Sequence, residues 1–141
     1  MATATFRPPW LRLALAAALA STAGCRSART GPDEYAPAPG RFEEGLASWY
    51  GPGFHGRTTA SGIVFDSRAM VAAHPRLPFG TRVRVLRISS GTTVDVEIVD
   101  RGPAAGPRSE GVVIDLSEAA AERLGFIRAG RTRVRLEVLE R

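Results

Sequence analysis

The sequence predicts a mainly-β domain of several short strands closed into a small barrel, with one or two short helices, over residues 45–141. Three observations predict it. Apolar and polar residues alternate with period two over 81–85, 93–99 and 133–139, as half-buried strands require. Turn formers (Gly51-Pro52-Gly53, Ser89-Ser90-Gly91 and Asp100-Arg101-Gly102-Pro103) cut the apolar runs short. The 141 residues are a one-domain length, and a folded part of roughly 100 residues buries one modest core. That size favours a compact closed sheet over a two-layer α/β enzyme with a large cofactor site.

Residues 1–25 precede this domain and read as an export signal. Arg7 and Arg12 give it a positive start, and residues 13–20 are an apolar run about half as long as a membrane-spanning helix needs. Thr22-Ala23-Gly24-Cys25 then resembles the lipobox of bacterial lipoproteins, in which the cysteine is lipidated and becomes the mature N-terminus. The resemblance implies a lipid anchor at Cys25 and a domain held on a membrane, facing the periplasm or the cell wall. Residues 26–44 are polar, rich in Pro, Ala and Gly, and without strand or helix period; they are expected to be a tether.

The elements of the domain follow in order. Residues 45–50 form a first short strand, and residues 70–74 a second, stopped by Pro75. Residues 81–88 and 93–99 make an antiparallel hairpin, with Val94, Val96 and Ile98 inward. Leu86 and Ile88 fall on the opposite parity from Val83 and Val85, which predicts a bulge or bend there. Val112-Val113-Ile114-Asp115 is a short apolar strand. Residues 117–124 form a short helix, with Ser117 as N-cap, Glu118 at the positive end of the dipole and Gly125 as terminator. Residues 133–139 close the chain, with Val134, Leu136 and Val138 inward.

Composition narrows the function classes. The formal charge is +5, all of its positive residues are arginine, and removing Arg7 and Arg12 leaves 17 arginines against 14 acids, or +3. A mildly basic surface suits an anionic wall polymer. Arginine alternates with acids rather than clustering beside stacking aromatics, which argues against nucleic acid. One cysteine excludes an intrachain disulfide, and two histidines without a second cysteine leave no structural zinc pattern. No metal, cofactor or nucleic acid is expected, and the protein is expected to be a monomer.

The loops are more specific than the strands. Ala47-Ser48-Trp49-Tyr50-Gly51, then residues 54–62, Phe65-Asp66, Ala72-Ala73-His74, Leu77-Pro78, Asp100-Arg101-Gly102-Pro103 and Ile114-Asp115-Leu116-Ser117 occur in that order. The series resembles the rare lipoprotein A (RlpA) family over nearly the whole folded part. The resemblance implies a six-stranded double-psi β-barrel. It implies cleavage of the peptidoglycan glycan strand between N-acetylmuramic acid and N-acetylglucosamine, with a 1,6-anhydro product. Many members carry a sporulation-related repeat that binds stem-peptide-free glycan; no such repeat is read here, so recruitment through one is not expected.

Such a reaction needs one well-placed acid, because the sugar's own 6-hydroxyl attacks the anomeric carbon. Asp115 is the first candidate: it ends an apolar strand before a helix N-terminus, where burial raises a carboxyl pKa. In related barrels an aspartate at the corresponding strand end is the catalytic acid. The other reading is that Asp115 caps the 117–124 helix. The family pattern Gly-Glu-x-Phe/Tyr-Asp with Ala-Ala-His implies catalytic roles for Asp66 and His74; Ile63 stands where the family has its glutamate. His74 reads equally well as a hydrogen-bonded structural histidine. Asp100 and Arg101 are candidate substrate contacts, Arg101 through its fork of donors. Alternatively, Asp100 fixes its loop by accepting backbone N–H bonds. Tyr50, Phe54 and His55 are candidates for a sugar-stacking groove wall, and Trp49 for the core.

Overall fold

The protein is described by a computed structural model over residues 39–140. The expected export signal, Cys25 and most of the expected tether lie outside the described residues.

Six strands form one closed sheet: β1 (Phe42–Trp49), β2 (Val71–Ala73), β3 (Arg82–Arg87), β4 (Thr93–Asp100), β5 (Val112–Leu116) and β6 (Thr132–Glu140). Their order around the barrel is β1-β5-β2-β4-β3-β6, and β6 closes on β1. Strands β1 and β5 run parallel, as do β2 and β4, and the remaining neighbours are antiparallel.

This order dictates two crossings. The chain leaving β1 must pass over β5 to reach β2, and the chain leaving β4 must pass over β2 to reach β5. Parallel strands need such long crossover connections. Here they are residues 50–70 and 101–111, the two crossed loops of a double-psi β-barrel.

The alternating strands fill the barrel as expected. Val83, Val85, Val94, Val96, Ile98, Val134, Leu136 and Val138 are buried, along with Ala47, Ala72, Ile114 and Leu116 from the strands that the crossings bring together. Helix α2 (Glu118–Leu124) packs Ala120, Ala121 and Leu124 onto this core. Ser117 caps it by accepting from the Ala120 N–H, and Gly125 ends it at φ +75°, a conformation that favours glycine. A second helix, α1 (Ala105–Ser109), lies in the Gly/Pro-rich crossing loop and buries no residue.

Two expectations are corrected. Strand β1 begins at Phe42, so Phe42, Glu43 and Glu44 belong to the barrel and not to the tether; they pair with Glu137, Leu136 and Arg135 of β6. The break in β3 falls at Arg82/Val83 rather than near Leu86. Strand β3 simply ends at Arg87, and Ile88 is left exposed in the turn, so its parity carries no register information.

Candidate active site

Register builds the site. Ser48 of β1 pairs with Asp115 of β5, Asp115 with Ala73 of β2, and Ala73 with Asp100 of β4. Cross-strand partners share a face of the sheet. The neighbours of this row, Ala47, Ala72, Ile114 and Leu116, point into the core, so Ser48, Asp115, Ala73 and Asp100 lie on the outer face. The second crossing loop roofs them. A Cβ on Gly102 would sit 3.1 Å from Asp115 Oδ2 and 3.2 Å from Ala73 Cβ, so any side chain there would press the loop and the row apart by a few tenths of an ångström.

The two carboxylates have different surroundings. Both oxygens of Asp100 are engaged: Oδ1 accepts from the backbone N–H of Ala60 and of Arg101, each at 2.8 Å, and Oδ2 accepts from the Tyr50 hydroxyl at 3.0 Å. It ties the two crossing loops together. Asp115 Oδ1 accepts from Ser48 Oγ, and Oδ2 faces Gly102. Burial pushes the Asp115 carboxyl above the usual carboxylate range and Asp100 adds to the shift, while Ser48 and the Arg131 guanidinium oppose it. Burial, with the charges of Asp100 and Asp115, also raises the Tyr50 phenol, which therefore stays a donor. A partly buried acid beside a structurally committed carboxylate is an arrangement that can hold a proton and give it up.

A depression of about 160 Å³ opens on one side of the row, lined by Tyr50, Phe54, Phe65, Arg57, Thr58, Thr59 and Asp100. The Tyr50 ring packs against Phe54 at 5.2 Å and Phe65 at 4.7 Å between centroids, and the Arg57 guanidinium lies 5.3 Å from the centre of the Phe54 ring. Rings at such a wall can stack on sugar faces. Ile63, where the resemblance implies a glutamate, is exposed beside the bridge that Thr58 makes with Val64.

Not all of the expected residues converge here. Asp100, Asp115 and Tyr50 do, with Phe54 at the rim. His74 does not. It is fully buried; Nδ1 accepts from the N–H of Arg76 and of Leu77 at 3.2 and 3.0 Å, and Nε2 lies 3.2 Å from Glu43 Oε2. Both ring nitrogens are thus occupied inside the protein, which fits the structural reading and not a catalytic one. Asp66 is also elsewhere. Its Oδ1 accepts from the Arg68 N–H and lies 3.5 Å from His55 Nδ1, in an exposed group that includes Ser67. His55 is held in that group and does not line the aromatic depression. Arg101 does not reach the carboxylates: its Nη1 donates to Leu77 O and His74 O at 2.9 and 3.3 Å, and its guanidinium lies 3.8 Å from the centre of the Phe79 ring.

Ser48 and Glu43 were not anticipated. Parity alone would have found Ser48, since it follows the inward Ala47 on the strand that reaches Tyr50. No sequence signal marks Glu43, whose importance rests on a contact with a residue 31 positions away.

The fold and the row define a class: a double-psi β-barrel with an acidic site beneath its crossed loops. Residues 43–136 match the family model described as "Lytic transglycolase". The chain belongs to this family, the RlpA-type lytic transglycosylases. A Synechocystis protein named "Probable endolytic peptidoglycan transglycosylase RlpA" is 45% identical over 122 residues, which is 86% of this chain and 37% of the relative. The Campylobacter jejuni "Endolytic peptidoglycan transglycosylase RlpA" is 42% identical over 102 residues, 72% of this chain and 36% of its own. The chain thus spans little more than a third of the length of these relatives. Among solved structures, an expansin from Clavibacter michiganensis is similar at TM-score 0.55 and 25% identity, over 71% of this chain and 51% of its own. A substituted form of that expansin has been solved in complex with cellohexaose.

Proposed function

We propose that the domain cleaves the glycan strand of peptidoglycan as a lytic transglycosylase, with Asp115 as its acid and base. Asp115 carries the proposal: unlike Asp100, whose two oxygens are both taken by donors of the loops, it keeps Oδ2 toward Gly102, and burial raises its carboxyl above the usual carboxylate range. Its proton passes to the glycosidic oxygen as the bond to the anomeric carbon of the muramyl residue breaks. The 6-hydroxyl of the same residue closes on that carbon, forming a 1,6-anhydro ring, and its proton returns to the Asp115 carboxylate. No water is consumed. Tyr50 and Asp100 fix the loops around the saccharide, and the Tyr50–Phe54 wall gives it a face to stack on. The family membership and the names of the relatives support this reading. The test is digestion of purified sacculi by the protein, with mass spectrometry of the products. Anhydro-muropeptides are expected; none, with binding intact, overturns the assignment.

A second reading has its own observation. Ile63 presents an exposed apolar side chain where the family has a glutamate, and the expansin-like barrel is compatible with a wall-binding module that breaks no covalent bond. The same digestion separates the two.

We propose further that the protein is a monomeric envelope lipoprotein anchored through Cys25, on the strength of the apolar run 13–20 and the small residues before the cysteine. Radiolabelled palmitate should be incorporated by the native chain and not by Cys25→Ser; equal labelling of both rules the anchor out.

A further inference from the structure

We propose that the opposite side of the roofing loop is a carboxylate-binding subsite for the acidic groups that hang from the muramyl residues of the glycan. The inference rests on the wall glycan being the substrate, and it names a specificity for that site.

Two depressions, of about 250 and 260 Å³, share Pro75 and Arg108 in their walls and so adjoin as one channel-like surface. It starts at Gly102, the residue that lies over Asp115, and runs to Glu43 and Val113. Three arginines line the two depressions, Arg101, Arg108 and Arg76. Its lining holds one acid, Glu43, which is already engaged by His74 Nε2 at 3.2 Å and Arg76 Nη2 at 3.6 Å. Arg101 is spent on the carbonyls of His74 and Leu77 and on the Phe79 ring; none of these neutralises its charge. Arg108 is exposed on α1 and makes no ion pair among the described residues. Three positive charges against one negative leave a surplus of two in a channel whose floor is partly apolar, at Pro75, Pro103, Val112 and Val113.

The chemistry that fits is a carboxylate on a short, partly apolar arm. Guanidinium forks match carboxylates, and their charge-assisted bonds are the strong ones. A wall glycan offers this group from two sources: the lactyl carboxylate of a stripped muramyl residue, and the carboxylates of its stem peptide. Both hang from the muramyl residue, which the proposed function puts at Asp115, beneath the Gly102 that lines the first depression. The aromatic depression on the other side has no such surplus near its acid, Asp100, and suits the neutral part of the strand.

The experiment measures binding of the full chain, at low and at high salt, to three glycans of equal length. These are peptide-bearing glycan, amidase-stripped glycan, and a neutral N-acetylglucosamine oligomer. At least one muramyl glycan should bind about tenfold tighter than the neutral oligomer at low salt, a gap one charge-assisted hydrogen bond accounts for. The muramyl glycan that binds tighter identifies the source of the carboxylate. Arg108→Glu should erase the gap and Arg108→Lys should keep most of it, and high salt should shrink it. Equal binding to all three glycans overturns the subsite, as does a gap that survives Arg108→Glu. Cleavage scored in parallel keeps the two readings apart. An Arg108-dependent gap without cleavage leaves the subsite standing and removes the catalytic assignment; cleavage without a gap does the reverse.

Discussion

The two crossing loops of the barrel are built differently. Residues 50–70 carry their own ladder: Gly56 N–H donates to Phe65 O at 2.9 Å, Thr59 N–H to Ile63 O at 2.8 Å, and Phe65 N–H to Arg57 O at 2.8 Å. That loop brings aromatics. Residues 101–111 contain only a short helix with nothing buried, and the loop is fastened where Arg101 grips the turn at 74–77. It brings arginine and a glycine thin enough to lie on Asp115. The acid belongs to neither loop. It sits on a strand, where its register with β1 and β2 fixes it, and the loops set the surroundings on each side. Rigid elements position chemistry better than loops do.

The sharpest way to break this division is at the strand. Asp115→Asn should lower cleavage by about 10²–10⁴-fold, the range for loss of a general acid, with the barrel intact by circular dichroism. It should also stabilise the protein at neutral pH. The folded-state pKa of Asp115 is raised, so between its unfolded and folded values the native state binds the extra proton, and stability falls as pH rises through that window. The melting-temperature gain of the asparagine variant should therefore be present at pH 7 and vanish in acid below the unfolded carboxyl pKa. A gain that persists in acid would mean the shift has another origin. Cleavage by the native protein should fall on the alkaline side, with a midpoint above the ordinary carboxylate range.

Next in size is the fastening of the second loop. His74→Ala leaves the Arg76 and Leu77 N–H groups and the Glu43 carboxylate without the imidazole, and should cost about 2–4 kcal/mol of stability in denaturant titration. Activity at low temperature should fall less than in Asp115→Asn. A variant as stable as the native protein but inactive would return His74 to the catalytic set.

Tyr50→Phe removes one donor to Asp100 and keeps the ring in the aromatic wall. About 1 kcal/mol of stability and up to about a tenfold loss of kcat/KM are expected, since the lost bond orders the loops and touches no reacting atom. The smallest effect is expected at Ile63. If Asp115 suffices, Ile63→Glu changes cleavage by no more than about twofold, as exposed substitutions do. A large gain from an inactive start would establish the second reading, a binding module that lost its glutamate.

Much of the barrel was legible because β3, β4 and β6 alternate cleanly and α2 carries its cap and terminator. β1 was legible only in part. Phe42-Glu43-Glu44 has no apolar alternation, because its pairing with β6 leaves Phe42 and Glu44 exposed. The site was half legible. Asp115 stood out from its apolar strand, and Asp100 from the turn it begins. Asp66 and His74 came from the family pattern, and a motif does not say which face its residues occupy: His74 is sealed inward behind the turn it stabilises, and Asp66 caps an exposed one. Nothing local distinguishes those outcomes. Each depends on the ring order β1-β5-β2-β4, which no stretch of alternation encodes.

The direction of β1 has a mechanical consequence. The strand enters the barrel at Phe42 and delivers Ser48 to Asp115 about 20 Å further along, at roughly 3.3 Å per residue. A pull from the N-terminal side loads β1 lengthwise, in shear across its ladders to β5 and β6. In that geometry the rungs carry the load together rather than one by one, so the pairing of Ser48 with Asp115 is backed by the whole ladder from Phe42 to Trp49.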